Sequence, residues 1–412
     1  MKICMITDTY HPCFDGIVRY FDYVIPKLLE KGHQVSVVCP WYKGEKHYSS
    51  PREGLTIIRT MTSRLRVNAY FFAIPDWRLV KAVKDSDFVI IHSLMPLGTV
   101  GGYIAKFFHK KLGFWCHHDE RVILNDILQM PDLLVKFLYR LIRNFYSKSV
   151  DVFFHATERF KRKLISFDAP EEKIVHTPFA INNTKFHPQP EYDLRDKYNI
   201  PSDAIIATYL GRLSVEKNVD NILRALDAVM DSNPNLYALV VGGGPDKDKF
   251  LQLSRRNDDR FIFTGFIPEE ELQSHYAVSD LFVTPTLNES SCFTVFEAMS
   301  CRVPIITSEK DHDPDIIHME NALLVDNVLD VQEIAEKIDL LVSNTKFRKF
   351  IGFNGQQLIQ SRTWDNHAER LLKALNNYYL IQDQSDEPAT MDQEREIESK
   401  KRLHKLRKAI GI

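Results

Sequence analysis

Several features that would decide the class of this 412-residue chain at once are missing from it. No apolar run approaches the roughly 20 residues needed to span a bilayer. The N-terminus, Met1-Lys2-Ile3-Cys4-Met5-Ile6, goes straight into a strand-like run and lacks the longer apolar stretch and cleavage site of a secretory signal. The six cysteines, Cys4, Cys13, Cys39, Cys116, Cys292 and Cys301, are scattered and form no C-x-x-C pair. They read as reduced thiols rather than a disulfide frame or a zinc site, and the expected location is cytoplasmic. A formal charge of −2 leaves no general case for binding nucleic acid. The first strand–turn–helix, Ile6–Ile17, has no G-x-G-x-x-G, which argues against a nicotinamide oxidoreductase. Gly242-Gly243-Gly244-Pro245 is not followed by G-K-[ST], so it is no P-loop.

What is present is a repeated alternation. Ile3–Thr7, Val35–Cys39, Phe88–His92, Gly113–Cys116 and Val152–His155 are short continuous apolar runs, and Val18–Glu30 between the first two has helical spacing. The series restarts with Ile205–Leu210, Val219–Ser232 (helical), Tyr237–Val241, Phe261–Thr264, Leu281–Thr284 and Val303–Thr307. Apolar strands separated by helices indicate a parallel sheet covered on both faces. The expected fold is therefore α/β, with two Rossmann-like, doubly wound domains. Length agrees, at roughly 100–200 residues per domain. The polar, proline-bearing stretch Asn182–Asp203 marks the boundary. The expected domains are 1–190, 191–365, a C-terminal helix at 366–380 packing back on the first domain, and a charged tail at 381–412. Two such domains facing each other would enclose a cleft, with ligands beyond the carboxyl ends of the strands.

Four segments at strand ends carry chemistry. In Thr286–Met299, Glu289 falls in a loop and Glu297 in the first turn or so of a helix. The backbone N–H groups around Phe293, Thr294 and Val295 would face a phosphate, and the two acids could accept from sugar and ribose hydroxyls. A loop acid and an ordinary dipole-favoured helix acid would look the same. In Gly211-Arg212-Leu213-Ser214-Val215-Glu216-Lys217-Asn218, a glycine turn precedes two cations that could aim at a diphosphate, or form a solvated basic loop. Asp15-Gly16-Ile17 follows the first strand, and Gly16 would permit close backbone approach to a phosphate, or would simply mark a plain turn. His117-His118-Asp119-Glu120 follows another strand. Neighbours on an extended segment point opposite ways, so a shared metal is disfavoured there.

Taken together, these segments resemble the family-4 retaining glycosyltransferases of the GT-B fold, over residues 1 to about 380. Glu289 and Glu297, seven residues between them, match the family's paired glutamates. Gly211, Arg212, Glu216, Lys217 and Asn218 match its basic segment, and Gly242-Gly243-Gly244-Pro245, Thr264-Gly265-Phe266-Ile267 and Tyr276–Asp280 match further pieces. The resemblance implies that Arg212 and Lys217 grip the donor diphosphate. It implies that Glu297 holds the ribose, that Glu289 orients the donor sugar, and that Phe293 and Thr294 meet the phosphate. Gly16 would close over the phosphate, Gly243 would lie in the nucleotide site, and backbone groups of Phe266 and Ile267 would face the base. His118 would be the cleft histidine, with His117 as the alternative if the register slips by one. No cofactor or metal is expected, because cations and a helix N-terminus replace it. The sequence departs from the family where Cys292 and Arg302 stand in place of glycines, and both departures read as changes of specificity.

The donor partner expected from the resemblance is a UDP- or GDP-sugar. Asp15-Gly16-Ile17 is similar to the form in relatives that glycosylate diacylglycerol-type lipids. Asp132–Ser149 agrees physically: Leu133, Leu134, Phe137, Leu138, Leu141, Ile142 and Phe145 alternate with Lys136, Arg140, Arg143 and Lys148. Such a helix can lie on an anionic membrane surface, or pack on its own sheet with solvated cations. A lipid acceptor is the leading expectation. A soluble sugar or polysaccharide acceptor, and a non-catalytic nucleotide-sugar-binding module, remain open.

Overall fold

The computed structural model describes residues 1–13, 16–42, 52–67, 70–117, 131–244, 246, 249–250, 252, 255–287, 293–310 and 312–380. It divides into two units, Met1–Ala180 with Arg362–Leu380, and Ile181–Ser361.

The first unit is built on an eight-stranded sheet. Its elements are β1 (Lys2–Ile6), α1 (Gly16–Glu30), β2 (Gln34–Pro40), β3 (Leu55–Val67), β4 (Tyr70–Ile74), α2 (Trp77–Lys84), β5 (Phe88–Ile91), α3 (Pro96–Phe107), β6 (Lys111–Trp115), α4 (Asp132–Ser149), β7 (Val152–His155), α5 (Glu158–Ser166) and β8 (Ile174–His176). The order is β4-β3-β2-β1-β5-β6-β7-β8, parallel throughout except for the antiparallel edge strand β4. β1, β5 and β7 are buried along almost their whole length, as expected of strands covered on both faces. α1 turns Ile17, Val18, Phe21, Val24, Ile25 and Leu28 inward at helical spacing, and its polar residues face out.

The second unit contains α6 (Leu194–Lys197), β9 (Ile205–Leu210), α7 (Val219–Met230), β10 (Leu236–Val241), β11 (Phe261–Gly265), α8 (Leu272–Ala277), β12 (Leu281–Thr284), α9 (Phe293–Ser300), β13 (Ile305–Ser308), β14 (Leu323–Val325), α10 (Val331–Ser343) and α11 (Thr345–Gln360). Its six strands run β11-β10-β9-β12-β13-β14, all parallel. The order reverses between β9 and β12, which makes that pair the topological switch point, where doubly wound folds hold their ligands.

The last helix, α12 (Trp364–Leu380), returns to the first unit. Trp364 stacks on Tyr23 with centroids 4.9 Å apart, and His367, Ala368, Leu371 and Leu375 are buried. The division between units falls after Ala180, ten residues before the expected 190/191 boundary. The reason is local. Phe186 packs on Tyr276, Ser300 Oγ donates to the Phe186 carbonyl at 2.7 Å, and Gln273 Nε2 donates to the Gln189 carbonyl at 2.9 Å, so residues 181–190 belong to the second unit. Likewise the chain rejoins the first unit at Arg362, just before the expected 366.

Candidate active site

At the switch point of the second unit, β9 ends in Leu210 and the chain turns through Gly211 into Arg212. β10 ends in Val241, followed by Gly242-Gly243-Gly244, and β11 ends at Gly265, followed by Phe266-Ile267. The three ends are bonded together: Gly211 N–H donates to the Val241 carbonyl (3.0 Å), Leu213 N–H to the Gly243 carbonyl (3.0 Å) and Gly242 N–H to the Gly265 carbonyl (2.9 Å). Gly242 sits at φ +125°, and a Cβ there would stand 2.0 Å from the Gly211 carbonyl oxygen. Only glycine permits both that backbone angle and that approach. The result is a cavity of about 350 Å3 lined by Leu210, Gly211, Arg212, Val241, the three glycines, Phe266 and Ile267. Phe266 leans over Gly243, where a Cβ would meet its ring at 2.6 Å, yet the side chain is 86% exposed. An exposed phenyl ring at the rim of a cavity offers a flat face to a planar ligand.

Arg212 is at the edge of this cavity. Its guanidinium pairs with Glu216 at 2.6 Å, and both side chains are largely in solvent. Burial works to raise the pKa of Glu216, but its own backbone N–H, the Ser214 hydroxyl and the nearby charges of Arg212 and Lys217 outweigh that and hold it below the usual carboxylate value. Lys217 ends a single 3-10 turn, Val215–Lys217, before α7. Asn218 follows it in the left-handed region at φ 58°, is 3% exposed, and donates through Nδ2 to the carbonyls of Pro285 (2.9 Å) and Val328 (2.6 Å). The basic segment is thus fastened to the chain leaving β12.

α9 begins at Phe293, with Phe293 and Thr294 half-buried in its first turn. Glu297 lies one turn in, 3% exposed, and accepts a hydrogen bond from the Tyr276 hydroxyl at 2.8 Å. It is therefore a buried, already anchored carboxylate rather than a first-turn surface acid. Arg302 is at the far end of α9, at φ 63°, with Nε donating to Gln356 Oε1 at 2.8 Å. Its place is just past the helix C-terminus, a position where glycine is common, so its departure from the family sits in a helix cap. Glu289, His118 and Cys292 lie outside the described residues.

The first unit has the matching topology, with its switch point between β1 and β5, and a different occupant. Asp8, just past β1, accepts from Ser93 Oγ (2.6 Å) and from the backbone N–H groups of Leu97 (3.2 Å) and Gly98 (3.4 Å) at the start of α3. The chain's own carboxylate fills the place where an anion would bind. Gly16 is the first residue of α1 in this unit. His117 is 8% exposed, and its Nε2 shares a 2.9 Å hydrogen bond with Nδ1 of the fully buried His92. Burial pulls the pKa of His92 down to about 3, so His92 enters that hydrogen bond as a neutral imidazole.

Arg212, Gly243, Phe266 and Ile267, singled out in the sequence, thus share one cavity, and Lys217 is on the turn beside Arg212. The roles of Asn218, Tyr276, Asp8 and His92 are not legible in the order of residues alone. For Asn218 and Tyr276 the signal in the sequence is their place in the matched family segments, which says nothing of what they bond to.

Comparison with known proteins identifies the family and the fold. Residues 14–184 match the Glycosyltransferase Family 4 description and residues 191–358 match Glycosyl transferases group 1. A GDP-mannose-dependent alpha-(1-6)-phosphatidylinositol monomannoside mannosyltransferase of Mycolicibacterium smegmatis is 22% identical, over 90% of this chain and 97% of that protein. An alpha-monoglucosyldiacylglycerol synthase of Acholeplasma laidlawii is 23% identical, over 84% and 92%. Among solved structures, Anabaena HepE in complex with UDP superposes with a TM-score of 0.69 at 16% identity, covering 92% of this chain and all 100% of that one. Sucrose-phosphate synthase from Thermosynechococcus elongatus gives 0.66 at 17% identity, covering 92% and 99%. The structural likenesses establish the fold. With both halves matched in order, the chain belongs to the family-4 glycosyltransferases of GT-B fold and is a sugar-transferring enzyme, a hexosyltransferase.

Proposed function

We propose that this glycosyltransferase moves a hexose from a UDP- or GDP-sugar to a membrane lipid of the diacylglycerol type, with retention at the anomeric carbon and without a metal ion. For the donor, the supporting feature is the cavity at the ends of β9, β10 and β11, with Arg212 on one edge and the exposed Phe266 ring on another. The base would lie against Phe266 and backbone groups at Ile267. The diphosphate would then reach Arg212 and Lys217, whose charges take the part a divalent cation plays elsewhere. Glu297 would meet the ribose, Glu289 the sugar, and the α9 N-terminus, at Phe293 and Thr294, the phosphate. His118 would be the histidine of the reacting centre.

In the reaction, the bond from the anomeric carbon to the diphosphate oxygen breaks and the bond to the acceptor hydroxyl oxygen forms on the same face. The acceptor's proton passes to the departing phosphate oxygen, so no separate strong base is required. Arg212 and Lys217 stabilise the charge gathering on that oxygen as the bond breaks.

The observation that carries the lipid acceptor is α4. Only Val135 and Tyr146 of this 18-residue helix are buried. Leu133 is 83% exposed and Phe137 58%, with Leu134 and Leu141 exposed beside them, and Lys136, Arg140 and Lys148 stand in solvent on the same helix. Tyr103 of α3 stacks on Phe145 at 3.8 Å, and Phe107, further along α3, is 76% exposed. An apolar stripe flanked by cations suits the interface of an anionic bilayer, where each buried side chain and each cation adds to binding. Two relatives are named for lipids, phosphatidylinositol monomannoside and monoglucosyldiacylglycerol, which favours a lipid acceptor here. No helix among the described residues is long and apolar enough to cross a membrane, so the proposed attachment is peripheral.

The test incubates the protein with EDTA, UDP- and GDP-sugars, and vesicles of anionic phospholipid carrying diacylglycerol, and follows nucleotide release together with glycolipid. Glycolipid is expected in EDTA, is abolished by Glu289→Gln, and falls sharply in a Leu133→Glu/Phe137→Glu variant that still binds nucleotide. Turnover on soluble sugars alone would overturn the lipid reading. Binding without any turnover would overturn the transferase reading in favour of a nucleotide-sugar-binding module.

A further inference from the structure

Asn218 joins three loops at the carboxyl edge of the second sheet, and its two roles can be separated. Its backbone, at φ 58° and ψ 26°, closes the 3-10 turn that carries Lys217 (Asn218 N–H to the Val215 carbonyl, 2.9 Å) and opens α7. Glycine or asparagine satisfies that left-handed angle. Its side chain does something a glycine cannot. Nδ2 donates both to the carbonyl of Pro285, the residue that follows β12, and to the carbonyl of Val328, between β14 and α10. Oδ1 meanwhile accepts from Asn221 Nδ2 at 2.8 Å, which fixes the amide's orientation. A second tie runs parallel: Leu287 N–H donates to the Glu216 carbonyl at 3.2 Å. The segment bearing Arg212, Glu216 and Lys217 is therefore registered against the loop leaving β12, which leads on to Glu289 and α9.

We infer that Asn218 is a positioning residue for the transfer: its amide fixes the segment bearing Arg212 and Lys217 against Pro285, where the chain leaves β12, so that the two cations are held in place for the diphosphate. The inference rests on the donor reading proposed above. An amide that donates to one buried carbonyl and one half-buried carbonyl holds a distance between two loops, and catalysis by fixed charges is sensitive to displacements on the order of 1 Å. Neither Arg212 nor Lys217 needs to touch Asn218 for this to operate.

The experiment compares wild type, Asn218→Gly and Asn218→Asp with Arg212→Ala, at a temperature where circular dichroism shows each fully folded. Asn218→Gly keeps the backbone angle and loses the amide. Asn218→Asp keeps the size and turns a carboxylate toward two carbonyls. Binding of UDP and GDP is measured by calorimetry beside binding of uridine and guanosine, and kcat and KM are measured for the donor that turns over. Both Asn218 variants are expected to lower kcat/KM by roughly 10- to 100-fold, to weaken the diphosphates, and to leave nucleoside binding within about twofold of wild type. Asn218→Asp should be the worse of the two. Lower melting temperatures with unchanged diphosphate binding and kcat/KM would show a purely structural role and overturn the inference. Equal losses for nucleoside and diphosphate would overturn it too, since positioning of the cations predicts a phosphate-dependent loss. Arg212→Ala reports on the premise separately. If it binds diphosphates as wild type does, the donor reading itself fails, whatever the Asn218 variants show.

Discussion

At the scale of single residues, exposure and backbone angle decide what each group can do. Phe266 leaves its apolar ring in solvent, and the glycine beneath it removes any side chain that would lift the ring from the cavity rim. Stacking of a base on an aromatic ring contributes about 1–3 kcal/mol by alanine substitution. Phe266→Ala is accordingly expected to weaken UDP or GDP roughly 5- to 150-fold, with Phe266→Trp retaining affinity. Calorimetric titration of nucleotide checks this, and an unchanged affinity would remove Phe266 from the base site. Arg302 illustrates the opposite lesson. In the sequence it stands where relatives carry glycine and looks like a specificity change. In the structure that glycine position caps a helix C-terminus, and the arginine is held there by Gln356 and by the ring of Phe353. One-dimensional alignment of a motif says which residue is unusual and leaves open which end of the helix it serves.

At the scale of elements, most strands are readable from the order of residues alone. β1, β2, β5, β6, β7 and β9 to β13 are nearly uninterrupted apolar runs because both faces of each sheet are covered. β3 escapes that reading. Leu55–Val67 mixes threonines and arginines with its apolar residues, and its outer half pairs only with the edge strand β4. β8 and β14, at three residues each, are too short to show a period. At the site, the glycine turns and the cations are legible as residue types. What Asn218 and Tyr276 bond to is not, because their partners are tens of residues away in the chain. α12 is the element with the sharpest consequence for stability. It buries His367, Leu371 and Leu375 in the first unit and covers Tyr20 and Trp115, whose rings lie 5.4 Å from that of His367. Each buried leucine of this kind is worth about 1.5–3 kcal/mol. Ending the chain after Ser361 is expected to melt the first unit well below the second. Hydrogen exchange resolved by peptide would show protection lost in 1–180 and kept in 181–361, and equal protection in both would contradict this packing account.

At the scale of the whole molecule, the first unit carries a pH liability. Burial pulls His92 down to about 3 and His367 to about 4, the latter although its Nδ1–H donates to the Pro178 carbonyl at 2.7 Å. Both are neutral when folded and would take up a proton near pH 6.5 when unfolded. The unfolded state therefore binds more protons as pH falls, and stability drops from about pH 6.5 downward until the folded rings protonate as well. At pH 5 the loss is about 2 kcal/mol per histidine. Melting temperature should fall between about pH 7 and pH 5, less steeply in His367→Asn, and a flat profile would refute buried neutral rings. The two units share an architecture but differ in what they offer at the switch point. Where the second presents Arg212 on an open cavity, the first has seated Asp8 against Leu97 and Gly98. Among the described residues, the duplicated fold thus fills one switch point with its own carboxylate and leaves the other open. In the proposed reading the Asp8 carboxylate is a permanent tenant, seated where the second unit keeps its cavity open for the donor, and the half built to the same plan is released for other work.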